Sequence, residues 1–283
     1  MTDSWIGGGN GFAPVHVPGM SRIDDAITVS VNGWTASTRE TVPEDAGFVF
    51  ELEDWSGWWG GVSVETDAVQ SPTGDGTLDG SGTFGGRTIT LTGLVLANPR
   101  SSTMAAIHQA GDALSGVLAG SVRKATLTVT EGMTGMVREL DVRRIRPPEF
   151  EFAGWGVASW ALYLYAPDPL RYGTEATTIQ RGGSASVPNA GNAMSRPLVD
   201  LVGPLTNPTL TAGGYTFTVT ATIPAGTTLT VDMRRRVVLA ASGAKTFTPV
   251  SGFWHHVDPG GATFALGGTG TGYAVMRRSS AWM

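Results

Sequence analysis

The 283-residue chain contains no cysteine, which excludes disulfide frameworks, thiolate nucleophiles and thiolate metal sites together. Lysine is nearly missing as well: of 19 basic residues only Lys124 and Lys245 are lysine, a bias that fits GC-rich coding sequence better than a functional demand. Charged residues make up 15%, against roughly 25% in average soluble domains. Long apolar runs are absent, since the longest, Trp155 to Ala166, is too short to cross a bilayer. The start, Met1-Thr2-Asp3-Ser4-Trp5, lacks the basic then apolar pattern of a signal peptide. Neither membrane spanning nor classical secretion is expected.

Catalytic signatures are missing too. Gly-x-Ser-x-Gly, the phosphate loop and His-Glu-x-x-His do not occur. There are four histidines, and only His255-His256-Val257-Asp258 sets two beside a carboxylate. Neighbouring side chains on a strand point to opposite faces, so this pair reads as a loop entering the Asp258-Pro259-Gly260 turn rather than as a metal site. We therefore expect no catalytic residues, no metal and no cofactor.

What the chain has in quantity is glycine, 40 of 283 residues, about twice the usual share, and alternation. Thr28, Ser30, Thr126, Thr128, Thr216, Thr218, Thr228 and Thr230 alternate with Val, Leu, Ile or Phe. This is the period-2 signature of strands with one dry and one wet face. Turn clusters separate the runs, among them Gly7 to Gly11, Gly74-Asp75-Gly76, Gly213-Gly214 and Pro259-Gly260-Gly261. One segment breaks the pattern: Met104, Ile107, Gly111, Leu114 and Leu118 fall three or four apart. That spacing predicts a helix, capped by Ser101 or Ser102 and ended by Gly116 or Gly120, packed on a sheet through those residues. His108 and Asp112 lie one turn apart on its solvated face.

The length predicts two domains. Ala166-Pro167-Asp168-Pro169 stops any strand ladder, and the cut there divides the charge unequally. Residues 1–168 carry 20 acids and 10 bases, a net −10, while 169–283 carry 4 acids and 9 bases, a net +5. The basic residues of the second part are scattered apart from Arg234-Arg235-Arg236, so no nucleic-acid recognition pattern is present. Just before the cut, Trp155 to Tyr165 is apolar on both alternating faces, which predicts a strand covered on both sides, in a core or at a subunit contact.

Two clusters stand out. Acids bunch at Glu40, Glu44, Asp45, Glu51, Glu53 and Asp54; such a cluster is an exposed acidic surface, a repellent for nucleic acid that must pass without sticking, or in principle a carboxylate pair for glycoside chemistry. Trp55-Ser56-Gly57-Trp58-Trp59-Gly60-Gly61 places three indoles in five residues. Core packing of at least one indole, a subunit or partner contact, and a sugar-stacking platform are all open readings.

Several of these pieces occur in an order that resembles the distal tail protein (Dit) family of siphophages, minor tail proteins of the tail tip. Gly74-Asp75-Gly76 and then Phe84 to Gly93 resemble the family's turn and central strand, and the helix follows. Ala166-Pro167-Asp168-Pro169-Leu170-Arg171-Tyr172 is similar to its Asp-Pro-x-x-Tyr segment. In the second half Gly191 to Pro197, Val199 to Gly203, Asn207 to Leu210, Leu229 to Asp232, Arg234 to Leu239 and Asp258-Pro259-Gly260 follow in the family's order, closing near Trp282.

The resemblance implies a mostly β chain: a β-rich ring-forming domain with one packed helix over 1–168 and a galectin-like antiparallel β-sandwich over 169–283. It implies a non-enzymatic virion component, assembled in the host cytoplasm. A homo-hexameric hub would join the tail tube protein to a tail-associated protein and let DNA through its lumen. The alternative is a carbohydrate-binding tail module that touches host-surface glycans. Under the hub reading, Trp55, Trp58, Trp59, Trp160, Tyr163 and Tyr165 are candidate subunit or partner contacts, and Glu40, Glu44, Glu51 and Asp54 are candidate lumen acids.

Overall fold

Thr-rich alternation with Val, Leu and Ile produces strands almost throughout, and the first of them close on themselves. The computed structural model describes residues 26–38, 42–43, 45–65, 69–70, 75, 77–78, 83–100, 103–119 and 124–283. Glu40, Glu44, the expected helix caps Ser101 and Ser102, the Gly7 to Gly11 run and both glycines of the Gly74-Asp75-Gly76 turn lie outside the described residues.

Strands β1 (Ile27–Val31) and β2 (Trp34–Ser37) form a hairpin. Its turn is Asn32-Gly33, with φ of 51° and 82°, the primed geometry that matches strand twist and that Asn-Gly adopts at least cost. Next come β3 (Phe48–Ser56), the two-residue strands β4 (Val64–Glu65), β5 (Val69–Gln70), β6 (Thr77–Leu78) and β7 (Thr83–Phe84), and the long β8 (Arg87–Ala97). Helix α1 (Thr103–Gly116) precedes β9 (Ala125–Glu131), β10 (Val137–Arg144), β11 (Glu149–Gly154) and β12 (Val157–Ala166).

The order β12-β8-β3-β2-β1-β9-β10 is closed by Arg143↔Tyr165 and Arg144↔Leu164, which pair β10 back onto β12. The result is a seven-stranded barrel, antiparallel except where β2 and β3 meet at Ser37↔Glu51. Closure leaves these strands without free edges. Inside, Val29, Leu91, Leu127, Leu140, Leu162 and Leu164 form one core with Ile107 and Leu114 of the helix.

The helix seals that core through Ile107 and Leu114, with Leu118 just beyond it, as its spacing suggests, and differs from the expected stripe at Met104. Ala106, Ile107, Ala110 and Leu114 are its buried residues, and Met104 is exposed. Small alanines let the helix approach β8 and β3 closely, so the contact face is centred on Ile107 and Ala110. The C-terminal carbonyls are satisfied from outside the helix: Arg144 donates to Ser115 O at 2.9 Å and Val117 O at 3.0 Å, a cation placed where the helix dipole is negative.

The remainder is a two-sheet sandwich with its own core. One sheet runs β14 (Ala176–Gln180), β25 (Tyr273–Arg277), β16 (Leu198–Val202), β20 (Thr228–Asp232), β21 (Val237–Ala240), β22 (Lys245–Thr246). The other runs β15 (Ser184–Val187), β24 (Ala262–Gly270), β17 (Leu205–Ala212), β18 (Tyr215–Val219), β23 (Val250–Gly252), with β19 (Thr222–Ile223) also on β17. Ile179, Val199, Val231 and Met276 from the first sheet pack against Leu210, Phe217, Phe264 and Leu266 from the second. The chain is thus mostly β with one packed helix, as its alternation predicts.

Two short strands leave the sandwich. β13 (Arg171–Gly173) pairs with β10, and β26 (Ala281–Trp282) pairs with β13; together with β11, paired to β12, they extend the barrel sheet to ten strands. β13 and β26 lie beyond residue 168, so the barrel sheet recruits chain from each side of the Pro167–Pro169 break. Among the described residues no helix is long and apolar enough to cross a membrane.

Candidate functional site

The tryptophan-rich loop leaves the end of β3, where a β-bulge between Leu52 and Asp54 shifts the alternation. Phe50 and Leu52 point inward, Glu51 and Glu53 outward, and the extra residue puts Trp55 rather than Asp54 back on the inner side. Gly93 permits this: a Cβ there would sit 1.9 Å from Glu51 O. Beyond the bulge, Gly57 turns the chain at φ +79°, with space for a Cβ blocked by Thr88 O at 1.8 Å. Gly57→Ala is therefore expected to cost about 2 kcal/mol and to redshift tryptophan emission as the loop detaches, read by denaturant titration. Wild-type stability and emission would show that the loop tolerates a Cβ.

Of the three indoles in the loop, one is core. Trp58 is fully buried and stacks on Trp55, with centroids 5.9 Å apart at 15°. Trp59 meets Trp55 edge-on at 5.8 Å and keeps 48% of its surface exposed. The loop is held by an arginine that no local pattern announces: Arg87 donates to Gly57 O at 2.6 Å, Trp58 O at 2.8 Å, Gly60 O at 3.2 Å and Pro169 O at 3.1 Å.

The β12 candidates split by face. Trp160 is buried among Trp34 and Phe50 and donates its indole N–H to Glu51 O and Leu94 O at 3.2 and 3.1 Å. On the other face Tyr163 donates to Glu149 at 3.0 Å beneath the guanidinium of Arg146, and Arg143 lies 5.1 Å over Tyr165. The expected double-sided apolar strand is one-sided at its start, because Trp155 sits in the turn before β12 and is 88% exposed. Among the contact candidates, Trp59, Tyr163 and Tyr165 offer surface, whereas Trp58 and Trp160 are interior. Of the acids, Glu51 is half-buried on the outer face of β3 and Asp54 is exposed, its carboxylate taking the Trp55 N–H at 2.8 Å.

A polar clasp joins barrel to sandwich. Arg278, just after β25, grips Asp141 of β10 with two hydrogen bonds, 2.8 and 3.0 Å, and also faces Glu139 at 3.7 Å. Arg234 pairs with Asp168, which also accepts the Tyr172 hydroxyl at 2.7 Å and the Leu170 N–H. Here the Asp-Pro-x-x-Tyr segment gains a physical meaning: its first and last residues bond each other across the turn into β13. Burial pushes the Asp168 carboxyl up more strongly than Arg234 and Tyr172 pull it down. Burial would raise Asp141 as well, but its bonds to Arg278 outweigh that and hold it below the usual carboxylate range. Burial, with the Asp168 charge, raises the Tyr172 phenol, which stays neutral as a donor.

The histidine pair lies in a loop, as its spacing predicts. His255 is buried with Nε2 3.1 Å from Leu210 O, and His256 stands 3.6 Å from Asp258. Burial lowers the His255 imidazole, so it is neutral. Among the described residues no three His, Cys, Asp or Glu side chains are grouped to hold a metal. Nearby, Tyr215 and Phe253 stack with centroids 4.9 Å apart, and a hollow of about 420 Å³ beside them is lined by Met194, Arg196, Arg236, Trp254 and His256.

No protein-family model matches the chain, and no curated protein matches it by sequence. Solved structures match by fold. The Dit protein of phage SPP1, described as a paradigm of the hub adsorption apparatus in phages infecting Gram-positive bacteria, superposes with a TM-score of 0.56 at 15% identity. That match covers 91% of this chain and 99% of SPP1 Dit. Chains of the activated phage p2 baseplate, in its calcium and strontium forms, give TM-scores of 0.48 and 0.47 at 8% identity, covering 89% of this chain and 98% of theirs. The barrel, its helix and the sandwich together make up a fold similar to that of SPP1 Dit.

Proposed function

We propose that the chain is a non-enzymatic structural component of a phage tail tip. In this reading a ring-forming hub domain, residues 1–168, closes a homo-hexamer between the tail tube protein and a tail-associated protein, and a sandwich domain, 169–283, decorates the outside. The observation that carries it is the fold match to SPP1 Dit over nearly the full length of both chains. The charge division supports it: a net −10 over residues 1–168 suits a lumen along which DNA slides without adhering. Native mass spectrometry tests it. Six copies of 29.5 kDa give a species of about 177 kDa; a monomer at every concentration would count against the ring.

Glu51 and Asp54, with Glu40 and Glu44, are proposed to face that lumen. The pair Glu51→Gln and Asp54→Asn is expected to leave hexamer formation intact and to raise DNA retention at low salt, measured by gel shift across a salt series. Unchanged retention would place these acids elsewhere.

A second reading, host-glycan binding, rests on the exposed Tyr215–Phe253 stack, with Tyr215 61% exposed, beside a hollow flanked by Arg196 and Arg236. A flat aromatic pair ringed by donors suits a sugar face. Pull-down of the full chain on host wall polysaccharide should then be lost in Tyr215→Ala. Equal retention by the variant would remove this reading.

A further inference from the structure

Among the described residues, three guanidinium groups converge behind the tryptophan loop. Arg171 of β13 is 5% exposed and Arg87 of β8 4% exposed. Arg138 of β10 stands beside them, its side chain 11% exposed. Their cations are layered with indoles: Arg171 lies 5.6 Å from the Trp58 ring and 5.4 Å from Trp59, and Arg138 lies 5.6 Å from Trp59 and 4.9 Å from Trp282. Among the described residues the one side-chain carboxylate bonded to this group is Glu131, 3.0 Å from Arg138. Arg87 spends its bonds on main-chain carbonyls and Arg171 donates to the Met283 oxygen.

Five buried donors are left over here: Nε and one terminal nitrogen of Arg171, Nε of Arg138, one terminal nitrogen of Arg87 and the indole N–H of Trp58. Buried donors in folded proteins are almost always paired, and buried charges are paired or neutralised. Burial first, and then the positive fields of Arg87 and Arg138, lower the Arg171 guanidinium to about 10. Neutral hydrogen-bond acceptors would satisfy the donors but not the repulsion among three cations. An oxyanion satisfies both, and the planar fork of arginine suits it.

We infer that Arg87, Arg138 and Arg171, with the Trp58 indole beside them, form a receptor for an oxyanion of the carboxylate or sulfate type, reached by displacing the exposed Trp59. The oxyanion comes either from an acidic side chain of a second copy or from a free small anion. This site is independent of the tail-tip reading, since it follows from charge and donors within one chain.

The test uses the full-length protein with sodium sulfate as probe, against sodium chloride at matched ionic strength, reading thermal midpoint and tryptophan emission. Sulfate is expected to raise the midpoint by several degrees in a saturable way and to shift the emission, with chloride doing neither. Arg171→Met should abolish the response. Arg138→Gln, at the better exposed edge of the cluster, should weaken it severalfold and serves if the first variant does not fold. Sedimentation separates the sources: sulfate that dissociates oligomers shows a carboxylate supplied by a second copy, and unchanged oligomers with a sulfate-shifted midpoint show a free anion. Wild-type protein that responds to sulfate no differently from chloride, or variants that respond like the wild type, would overturn the assignment.

Discussion

Trp160→Ala is expected to lower the folding stability by about 4 kcal/mol, while Tyr163→Ala, three residues along the same strand, changes it by less than about 1 kcal/mol. Both belong to the aromatic strand that the sequence offers as a contact surface, and the structure separates them by face. Trp160 is 2% exposed, edge-on to Trp34 at 5.2 Å and to Phe50 at 5.8 Å. Truncation removes a large apolar volume from a barrel that cannot collapse around it, because β12 is fixed on both edges. Tyr163 is partly exposed, and its hydroxyl bond to Glu149 and its Arg146 partner are at the surface. Guanidinium titration of the two variants checks this, and Trp160→Phe should fall between them. If Trp160→Ala keeps its stability and loses only self-association, Trp160 is a contact residue and not part of the core.

Arg278→Met is expected to cost about 3 kcal/mol, because it strands Asp141 and Glu139 at the junction of barrel and sandwich with their cation gone. Asp141 keeps about a third of its side chain exposed, so the loss falls at the lower end of what a fully buried pair shows. The pH dependence separates this clasp from its neighbour. Asp141 sits below the ordinary carboxylate range in the fold, so its contribution is complete above the unfolded pKa of about 4 and is lost as the pH falls through the depressed folded value. Asp168 runs the other way. Raised by burial, it favours folding while protonated, and its contribution fades as the pH climbs through the raised value. Wild-type stability should therefore fall below about pH 4, and Arg278→Met should show a flatter acid limb there while keeping the Asp168 slope above it. Identical acid limbs in chemical denaturation would mean that Arg278 does not set the charge state of Asp141.

Strand content and the position of the helix were legible in the sequence because both are periodic properties of adjacent residues. Thr126 to Thr130 and Thr216 to Thr220 alternate as the strands β9 and β18 do. The helix face is legible at Ile107, Leu114 and Leu118 but not at Met104, which is large and apolar yet exposed, because the approach to β8 favours the smaller Ala106 and Ala110. Trp155 looked like strand because it adjoins apolar residues, but Gly156 at φ 72° makes a turn of it. The contact surfaces were not legible for a different reason. Trp58 is buried through Arg87, some 29 residues away, and Asp141 meets Arg278 across 137. Pairings at such separations leave no local pattern, and the same holds for the convergence of Arg87, Arg138 and Arg171. Asp168 and Tyr172 lie four residues apart, and their segment was visible as a motif before its hydrogen bond gave the reason for it.

Negative-stain electron microscopy of the purified full-length protein at high concentration tests the central claim most directly. The account predicts six-fold rings with a central hole, the barrels forming the rim and the sandwiches projecting outward. Single particles of monomer size throughout the concentration range, with no ring classes, would contradict it.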